Sequence, residues 1–343
     1  MKIVVLAGGL SPERDVSLSS GSLIANALME AGHEVLLMDV YTGADFDKAK
    51  FRTREEGKPY AYAIPDREPD LAQVMRENGN QQALIGKNVI TLCAMADVTF
   101  LALHGAMGEN GQIQATFDNF GIRYTGSGYI GSLLAMDKGI SKKLFVGEGV
   151  PTAPWVCCAP DSAGADQVER ELGYPCVVKP CSCGSSIGVS IAENREELEK
   201  AFALAKQYED LLLVEKKIQG REFSVGVLDG QVLPPIEIIP LQGFYDYKNK
   251  YQSGLTKEVC PAELTGEQEK AVQSYAAKVF SLLRLKSYGR VDFILDEAGV
   301  FWCLEANTLP GMTPMSLLPQ EAAAVGIGYT ELCERIAALA LRD

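Results

Sequence analysis

Two carboxylates and one amide near the carboxyl end of the chain have the spacing that a divalent-cation site requires. Two runs of alternating apolar and polar residues flank Ala298-Gly299, a pattern that predicts a β-hairpin. The register set by that turn places Asp292 opposite Glu305, with Asn307 two residues further along the same face. Buried like charges repel unless a cation lies between them, and Mg²⁺ prefers all-oxygen sets, especially when phosphate oxygens complete its shell. The hairpin therefore predicts a magnesium and phosphate site.

The alternative for this hairpin is a solvated edge that carries scattered acids. The face opposite the acids is predicted to be apolar and to consist of Phe293, Leu295, Trp302 and Leu304. Ile294 and Cys303 are predicted to lie beside the acids, so that both faces are covered. Unpaired acids between two covered faces would be destabilising, which favours the cation site.

A lysine at the end of a predicted strand opens a loop of small residues suited to phosphate. Lys179 is followed by Pro180 and then by Cys, Ser, Gly and Ile residues up to Gly188. Backbone N–H groups and hydroxyls in such a loop can close over phosphates while Lys179 supplies positive charge. The spacing of a Walker loop is absent, which argues against a P-loop fold. Taken alone, the segment is more often an ordinary Gly-Ser hairpin loop.

A second predicted strand end adds residues suited to a nucleoside. The predicted strand over 211–214 leads into Glu215 and Lys216, and Glu222 follows. An adenine ring could lie along the backbone of 215–218 while Glu222 accepts hydrogen bonds from ribose hydroxyls. Each of these residues alone also fits an ordinary charge on an edge strand. Their occurrence together with the small-residue loop favours a nucleotide site.

The elements that position a further pair of candidates lie at the start of the chain. Lys2–Leu6 and Glu34–Val40 are predicted strands, and Ser17 is the predicted N-cap of the helix between them. This order predicts a parallel α/β layer. Another predicted strand ends at His104, in a loop punctuated by glycines. Ligands of open parallel sheets bind at the carboxyl ends of the strands.

His104 and Glu13 are placed at that edge of the predicted sheet. His104 is either a satisfied core histidine or a group that binds or orients a carboxylate. Glu13 is either an acid at a helix start or a group that binds an amine. Further along, the polar and aromatic segment 243–260 is either an exposed loop or a lid that excludes water from a reactive intermediate.

Composition narrows the classes of partner. The chain has 343 residues, and 32 Lys and Arg against 45 Asp and Glu give a net charge of −13, which disfavours general nucleic-acid binding. No apolar run reaches the roughly 18 residues of a membrane span. Nine cysteines and two histidines form no zinc or disulfide framework, which predicts reduced thiols and a cytoplasmic location. Cys181 and Cys183 form a C-x-C pair, for which ordinary small side chains are the favoured interpretation.

Taken together, these features resemble the D-alanine–D-alanine ligase family of the ATP-grasp superfamily. Motifs across nearly the whole chain carry the resemblance: Ser11–Ser17, His104-Gly105 with Gly108–Gly111, Tyr124–Gly128, Met136–Lys138, Lys179-Pro180 with Gly184–Ser186, Phe244–Tyr247 with Lys250-Tyr251, Gly289–Asp292, and Leu304–Asn307 to Ser316-Leu317. Jointly they are specific, although each alone is weak. Residues 41–95 carry no motif.

The resemblance implies an α/β protein of three α/β domains, in which an N-terminal open parallel sheet precedes an ATP-grasp pair of domains. The substrate domain is expected at 1–126 and the small central ATP-grasp domain at 127–215. The large ATP-grasp domain, with the metal site and the lid, is expected at 216–343. A homodimer is also expected.

The implied reaction joins two D-alanine molecules at the expense of ATP, for peptidoglycan precursor synthesis. The carboxylate of the first D-alanine takes the γ-phosphoryl group to form an acyl phosphate, which the amine of the second attacks. Tyr251 and Leu317 resemble the ligases that use D-alanine as the second substrate. The alternatives are a D-alanine–D-serine ligase, a D-alanine–D-lactate ligase, or another ATP-grasp ligase that joins a carboxylate to an amine.

The resemblance also implies roles for individual residues. ATP would be held by Lys138, Lys179, Glu215, Lys216 and Glu222. Two Mg²⁺ or Mn²⁺ ions would be held by Asp292, Glu305 and Asn307. Substrates would be bound by Glu13, His104, Arg290, Gly311, Ser316 and Leu317. The expected catalytic residues are Glu13, Ser185, Tyr251, Arg290 and Ser316, with Arg290 and the Gly311 N–H stabilising the oxyanion of the tetrahedral intermediate.

Overall fold

Three β-sheets organise the part of the chain that the computed structural model describes. The described residues are 1–65, 67, 69–184, 187–240 and 256–342. Two predicted catalytic residues, Ser185 and Tyr251, lie outside this part of the chain, as does most of the predicted lid. The predicted domain boundaries, at 126/127 and 215/216, stay predictions.

The first sheet lies at the start of the chain and follows the predicted strand–helix–strand order. Its elements, in chain order, are β1 (Lys2–Ala7), α1 (Arg14–Glu30), β2 (Glu34–Asp39), α2 (Leu71–Glu77), α3 (Val89–Ala94), β3 (Val98–Leu101), α4 (Ala106–Glu109) and α5 (Gln112–Phe120). The strand order is β2-β1-β3, and both pairs are parallel. The central strand is buried from Ile3 to Ala7, as expected for a parallel strand covered on both faces. The carboxyl ends of β1 and β3 therefore meet at one edge.

The predicted helix cap at Ser17 is wrong. The helix α1 begins at Arg14, and Glu13 occupies the N-cap position. Ser17 lies inside the helix, where its buried hydroxyl donates to the Ala102 carbonyl at 2.7 Å and accepts from the Gly8 N–H at 2.8 Å. The hydroxyl thus joins the segments that follow β1 and β3, a contact across the fold that local sequence does not specify.

The second sheet is antiparallel and lies in the middle of the chain. The elements of this region are α6 (Tyr129–Met136), α7 (Lys138–Gly147), β4 (Trp155–Cys158), α8 (Ser162–Glu171), β5 (Cys176–Pro180), β6 (Ser190–Ala192), α9 (Arg195–Ala205) and β7 (Leu212–Lys216). The strand order is β4-β7-β5-β6. Apolar residues of β5 and β7 pack against α8 and α9 in one core. The opposite face of this sheet is left for polar side chains of β5 and β7.

The third sheet is antiparallel and holds the predicted hairpin. The elements of this region are β8 (Arg221–Leu228), β9 (Gln231–Val232), β10 (Ile236–Pro240), β11 (Thr256–Val259), α10 (Gly266–Leu282), β12 (Tyr288–Leu295), β13 (Phe301–Asn307), α11 (Leu317–Ala324) and α12 (Tyr329–Leu339). The strand order is β11-β10-β8-β12-β13, with β9 paired to β8. A core between this sheet and α10 covers one face. The helix α12 instead joins the core of the first sheet, where it packs on α1.

The hairpin has the predicted strands, and its register at the acids is confirmed. Asp292 pairs with Glu305, but nearer the turn Phe293 pairs with Cys303, so Leu304 is a bulge. The prediction that Cys303 lies beside the acids while Trp302 and Leu304 cover the opposite face is therefore wrong. Phe301 and Cys303 are buried with Phe293 in that core. Because of the bulge, the apolar side chains face the core while Asp292 and Glu305 remain paired with each other.

No helix in the described part of the chain is both long and apolar enough to cross a bilayer.

Candidate active site

The hairpin acids each contact a basic side chain. Asp292 is buried, and its carboxylate accepts from the Ser224 hydroxyl at 2.7 Å and from Arg290 Nη2 at 3.2 Å. The Nε atom of Arg290 lies 3.2 Å from the other Asp292 oxygen, so that the guanidinium faces the carboxylate with two nitrogens.

Glu305, across the hairpin, lies 3.2 Å from the ammonium of Lys138. Asn307 pairs in register with Arg290, and its Oδ1 accepts from the Leu309 N–H at 3.1 Å.

Lys138 connects the hairpin to the small-residue loop. Its ammonium donates to the Cys183 carbonyl at 2.7 Å, and its backbone N–H donates to the Cys181 carbonyl at 3.0 Å. Burial would lower the pKa of Lys138, but the neighbouring Glu305 carboxylate outweighs it and the pKa is raised. The ammonium of Lys138 therefore lies between the predicted metal ligands and the predicted phosphate loop.

A second buried carboxylate, Glu215, is held by two lysines. Its oxygens lie 2.5 Å from Lys179 Nζ and 2.7 Å from Lys142 Nζ. Burial would raise the pKa of Glu215, but the two ammonium groups more than compensate and lower it to about 2. Lys179 and Glu215 were both predicted to bind the nucleotide, and the structure places them in contact.

Lys142 is a site residue that the sequence predictions missed. Its side chain is fully buried, and its ammonium also donates to the Thr152 hydroxyl at 2.6 Å. Burial lowers its pKa, which Glu215 opposes. The sequence did carry one signal, because Lys142 follows Lys138 by four residues and the two share a face of α7.

Lys216 and Glu222 are placed differently from the lysine–glutamate cluster. The ammonium of Lys216 donates to the backbone carbonyls of Leu172 and Tyr174 at 3.3 and 3.2 Å. Neighbouring residues of a strand face opposite sides, so this ammonium points away from Glu215. Glu222 lies on β8, in register with Ile294 of the hairpin, and is half-buried.

The first sheet contributes His104 and Glu13 at its carboxyl edge. Both are buried, and the backbone of Leu309, just beyond the hairpin, lies near His104. Burial lowers the pKa of His104, as does the nearby Arg290, while Glu13 acts to raise it. Within the described residues, the buried Nε2 atom of His104 has no hydrogen-bond partner. A ligand that brings an oxygen to this atom would satisfy it.

Glu109 is a second residue that the sequence predictions left without a role. Its carboxylate accepts from the Gly105 N–H at 2.8 Å, and Gly105 has a φ of +82° that suits glycine. Burial, reinforced by the charge of Glu13, raises the pKa of Glu109 to about 8. A Cβ at Gly184, in the small-residue loop, would lie 3.7 Å from Glu109 and 3.8 Å from Glu13. The loop therefore comes close to both acids without a side chain between them.

The turn after the hairpin carries the residues predicted for the second substrate. Ser316 Oγ accepts from the Thr313 N–H at 3.1 Å and would lie 3.0 Å from a Cβ at Gly311. The absence of a side chain at Gly311 thus leaves room for this hydroxyl. Leu317 opens α11 and is buried in an apolar cluster with Ile236 and Ile238.

The oxygen ligands of the hairpin suit a divalent metal ion only when a nucleotide is bound beside them. In the described residues, no three histidine, cysteine, aspartate or glutamate side chains are grouped so that they could hold a metal. The hairpin offers two carboxylates and an amide oxygen, which is an all-oxygen set of the kind that Mg²⁺ prefers. Such a site needs further oxygens, and the phosphates of a nucleotide near Lys138 and Lys179 would supply them.

Comparisons with known proteins agree with this arrangement. Models of the D-ala D-ala ligase N-terminus and C-terminus match residues 2–127 and 144–338. The chain is 42% identical to the D-alanine–D-alanine ligase of Pediococcus pentosaceus, over 98% of this chain and 96% of that protein. It is 38% identical to the Geobacter sulfurreducens ligase, over 98% and 92% of the two chains.

Solved structures give the same result. The D-alanine–D-alanine ligase of Bacillus anthracis complexed with ATP matches with a TM-score of 0.75 and 30% identity, over 100% of this chain and 97% of that one. The D-Ala:D-Ser ligase VanG of Enterococcus faecalis matches with a TM-score of 0.77 and 26% identity, over 99% of each chain. The fold is that of the ATP-grasp ligases. The chain belongs to the D-alanine–D-alanine ligase family.

Proposed function

We propose that this chain joins two D-alanine molecules with ATP, through an acyl phosphate, and that the residues described above carry out the reaction. One observation supports it most strongly. Lys138 contacts both Glu305 of the hairpin and the carbonyl of Cys183 in the small-residue loop, at 3.2 and 2.7 Å. Phosphates bound at Lys138 would therefore lie between a loop that covers them and acids that hold their metal ions.

ATP is bound between the second and third sheets. Lys138 and Lys179 bind its phosphates, and Lys179 is oriented by Glu215, which Lys142 holds from the other side. The adenine lies along the backbone of 215–218. Lys216 contributes through that backbone, since its ammonium is engaged by carbonyls of the opposite face. Glu222 accepts from the ribose hydroxyls.

Asp292, Glu305 and Asn307 would hold two Mg²⁺ or Mn²⁺ ions, which would neutralise the charge of the nucleotide phosphates. The acids already contact Arg290 and Lys138, so the protein keeps positive charge beside them before any ligand arrives.

The first D-alanine is held at the edge of the first sheet. Glu13 binds its ammonium, and Nε2 of His104 binds its carboxylate, which attacks the γ-phosphoryl group. Ser316 and Leu317 place the carboxylate of the second D-alanine, whose amine attacks the acyl phosphate. Arg290 and the Gly311 N–H stabilise the resulting oxyanion. We also assign catalytic roles to Ser185 and Tyr251, on the resemblance alone.

The wider setting follows from the same resemblance. The chain has three domains, at 1–126, 127–215 and 216–343. Each of the three sheets lies almost entirely within one of these domains. It acts as a homodimer in the cytoplasm and supplies D-alanyl-D-alanine for peptidoglycan precursors.

The test is to incubate the protein with ATP, Mg²⁺ and D-alanine alone and to identify the product by mass spectrometry. D-alanyl-D-alanine and one phosphate per dipeptide are expected, and mixtures with D-serine or D-lactate should still give mainly the D-alanine product. Arg290→Ala should lower kcat by at least about 100-fold while ATP still binds, because a donor to the oxyanion is lost. Arg170→Ala, which removes an exposed arginine of α8, is the matched control and should be as active as the parent. Phosphate release without D-alanine, or full activity of Arg290→Ala, would contradict the proposal.

A further inference from the structure

A turn that follows α9 holds the base of the small-residue loop. Glu209 lies in this turn, between α9 and β7, and is partly buried. Its carboxylate accepts from three donors, which are the Cys181 N–H at 2.8 Å, the Ser182 N–H at 3.0 Å and the Ser182 hydroxyl. One side chain from outside the loop therefore binds the first two residues that follow β5.

The residue before Glu209 contacts the far end of the same loop. Gly188 has a φ of +70°, a conformation that favours glycine. A Cβ at Gly188 would lie 2.9 Å from Cγ of Pro180 and 3.0 Å from Cδ2 of Tyr208, closer than an ordinary van der Waals contact. Both rings therefore pack against Gly188. Tyr208 and Glu209, which we call the loop clamp, contact opposite ends of the segment 181–188.

The loop clamp is attached to the core of the second sheet. The N–H groups of Tyr208 and Glu209 donate to the Ala205 carbonyl at 3.0 and 3.3 Å, so that the clamp continues from the end of α9. The helix packs on the sheet through its buried residues Leu198, Ala201, Phe202 and Ala205. The loop itself consists mostly of small residues, which constrain their own backbone little. A packed helix thus supplies from outside the anchors that the loop lacks.

The loop in turn positions Lys138. The Cys181 carbonyl accepts from the Lys138 N–H at 3.0 Å, and the Cys183 carbonyl accepts from the Lys138 ammonium at 2.7 Å. Glu209 thus holds the segment 181–183 by its N–H groups, and Lys138 contacts the same segment through its carbonyls. Loss of the clamp would leave the carbonyl partner of the ammonium without a fixed position.

Successive backbone N–H groups beside a hydroxyl can also bind an anion such as phosphate. At the base of this loop, however, the N–H groups of Cys181 and Ser182 already donate to a carboxylate of the protein. The negative charge of that carboxylate would repel a phosphate brought to the same place. This end of the loop is therefore suited to anchoring, and phosphate is left to Lys138 and Lys179.

We propose that Glu209, supported by Tyr208, is a positioning residue for ATP. It fixes the base of the small-residue loop, so that the ammonium of Lys138 is in place before the nucleotide binds. Without the clamp, part of the free energy of ATP binding would be used to order the loop. This inference rests on the proposed assignment of Lys138 to ATP.

The experiment measures the binding of Mg²⁺ and ATP to the full-length protein by calorimetry, without D-alanine. Glu209→Ala should raise the Kd by about tenfold or more, because charge-assisted hydrogen bonds to the loop are lost. Glu209→Gln keeps one acceptor oxygen and should raise the Kd less. Asn194→Ala is the matched control: it removes the side-chain acceptor of a backbone N–H at the other end of α9 and should bind ATP as the parent does.

Steady-state kinetics separate positioning from a general loss of structure. In Glu209→Ala the KM for ATP should rise while kcat at saturating ATP stays within about threefold of the parent, since bound ATP orders the loop. Tyr208→Ala should also raise the KM for ATP, and Tyr208→Phe, which keeps the ring against Gly188, should restore it.

Hydrogen exchange tests the clamp without any ligand. Peptides that cover 181–184 should exchange faster in Glu209→Ala than in the parent and in Asn194→Ala. Three results would overturn the proposal: unchanged exchange, an unchanged Kd for ATP in Glu209→Ala, or an equal rise of the Kd in Asn194→Ala. Glu209→Gln provides the same test if Glu209→Ala does not fold. A parent that binds ATP but forms no dipeptide would refute the proposed function and leave this inference standing.

Discussion

In the region that we propose binds the nucleotide, called the nucleotide side (Lys138, Lys142, Lys179, Glu215 and Glu305), each carboxylate contacts at least one lysine. In the region that we propose binds D-alanine, called the alanine side (Glu13, His104 and Glu109), two carboxylates lie near each other, and one has a pKa raised to about 8. The first region is electrically compensated before ATP arrives. In the second, burial and the charge of Glu13 favour the protonated form of Glu109. The two regions therefore differ in how a buried carboxylate is accommodated: by lysines in the first and by protonation in the second.

The largest expected effect tests whether the nucleotide side depends on this compensation. Glu215→Ala leaves the fully buried Lys142 without its carboxylate, and we expect the free energy of unfolding to fall by about 3–5 kcal/mol. Urea denaturation measures it. Glu193→Ala removes a carboxylate from an exposed pair with Lys217 and should change the stability little. Equal stability of the two variants would break the comparison.

Lys138→Met tests whether the same compensation serves ATP. The variant removes the ammonium that contacts Glu305 and the Cys183 carbonyl, and we expect the Kd for ATP to rise by about 10- to 100-fold. Isothermal titration calorimetry with Mg²⁺ and ATP checks this. Lys200→Met, which removes an exposed lysine paired with Glu196, is the control and should bind ATP as the parent does. An unchanged Kd for Lys138→Met would exclude Lys138 from the nucleotide site.

Glu109→Gln sharpens the comparison on the alanine side through pH. Because the pKa of Glu109 is raised from an ordinary 4.5 to about 8, the folded state holds its proton more tightly than the unfolded state. The stability this provides is fully present below about pH 4.5 and is lost as pH rises toward 8. Denaturation at several pH values should therefore show a less negative slope between these limits in Glu109→Gln than in the parent. Parallel slopes would show that Glu109 is ionised in the folded protein.

The smallest expected effect concerns the scaffold of the alanine side. Ser17→Ala removes the hydroxyl that joins Gly8 and Ala102, and we expect a loss of about 1–2 kcal/mol in the free energy of unfolding. Denaturant titration compares it with Ser19→Ala, a less buried position on the same helix. If both variants lose the same free energy of unfolding, the Ser17 hydroxyl bridge makes no specific contribution to stability.

Features set by local sequence were predictable, and the hairpin shows how far this extends. Its acids pair as predicted because a short turn and a two-residue period fix the alignment. The bulge at Leu304 was missed, because it depends on which side chains the core accepts. The Lys216 ammonium points away from Glu215 because neighbouring residues of a strand face opposite sides, and this direction could have been predicted from the sequence.

Contacts between distant parts of the chain were not predictable from spacing. Lys142 and Glu215 belong to a helix and a strand far apart in sequence, and nothing local indicates that the lysine is buried. Ser17 has the residue type of a helix cap, yet the contact with Ala102 after β3 gives it another role. The resemblance to a family supplied the identity of the amino-acid substrates, which neither spacing nor burial could provide.

The most direct test of the account follows one oxygen atom. D-alanine labelled with ¹⁸O in its carboxylate is incubated with ATP and Mg²⁺, and the inorganic phosphate is analysed by mass spectrometry. If the carboxylate attacks the γ-phosphoryl group and the amine then displaces phosphate, each phosphate should carry one ¹⁸O atom for each dipeptide formed. Dipeptide accompanied by unlabelled phosphate would contradict the acyl-phosphate route.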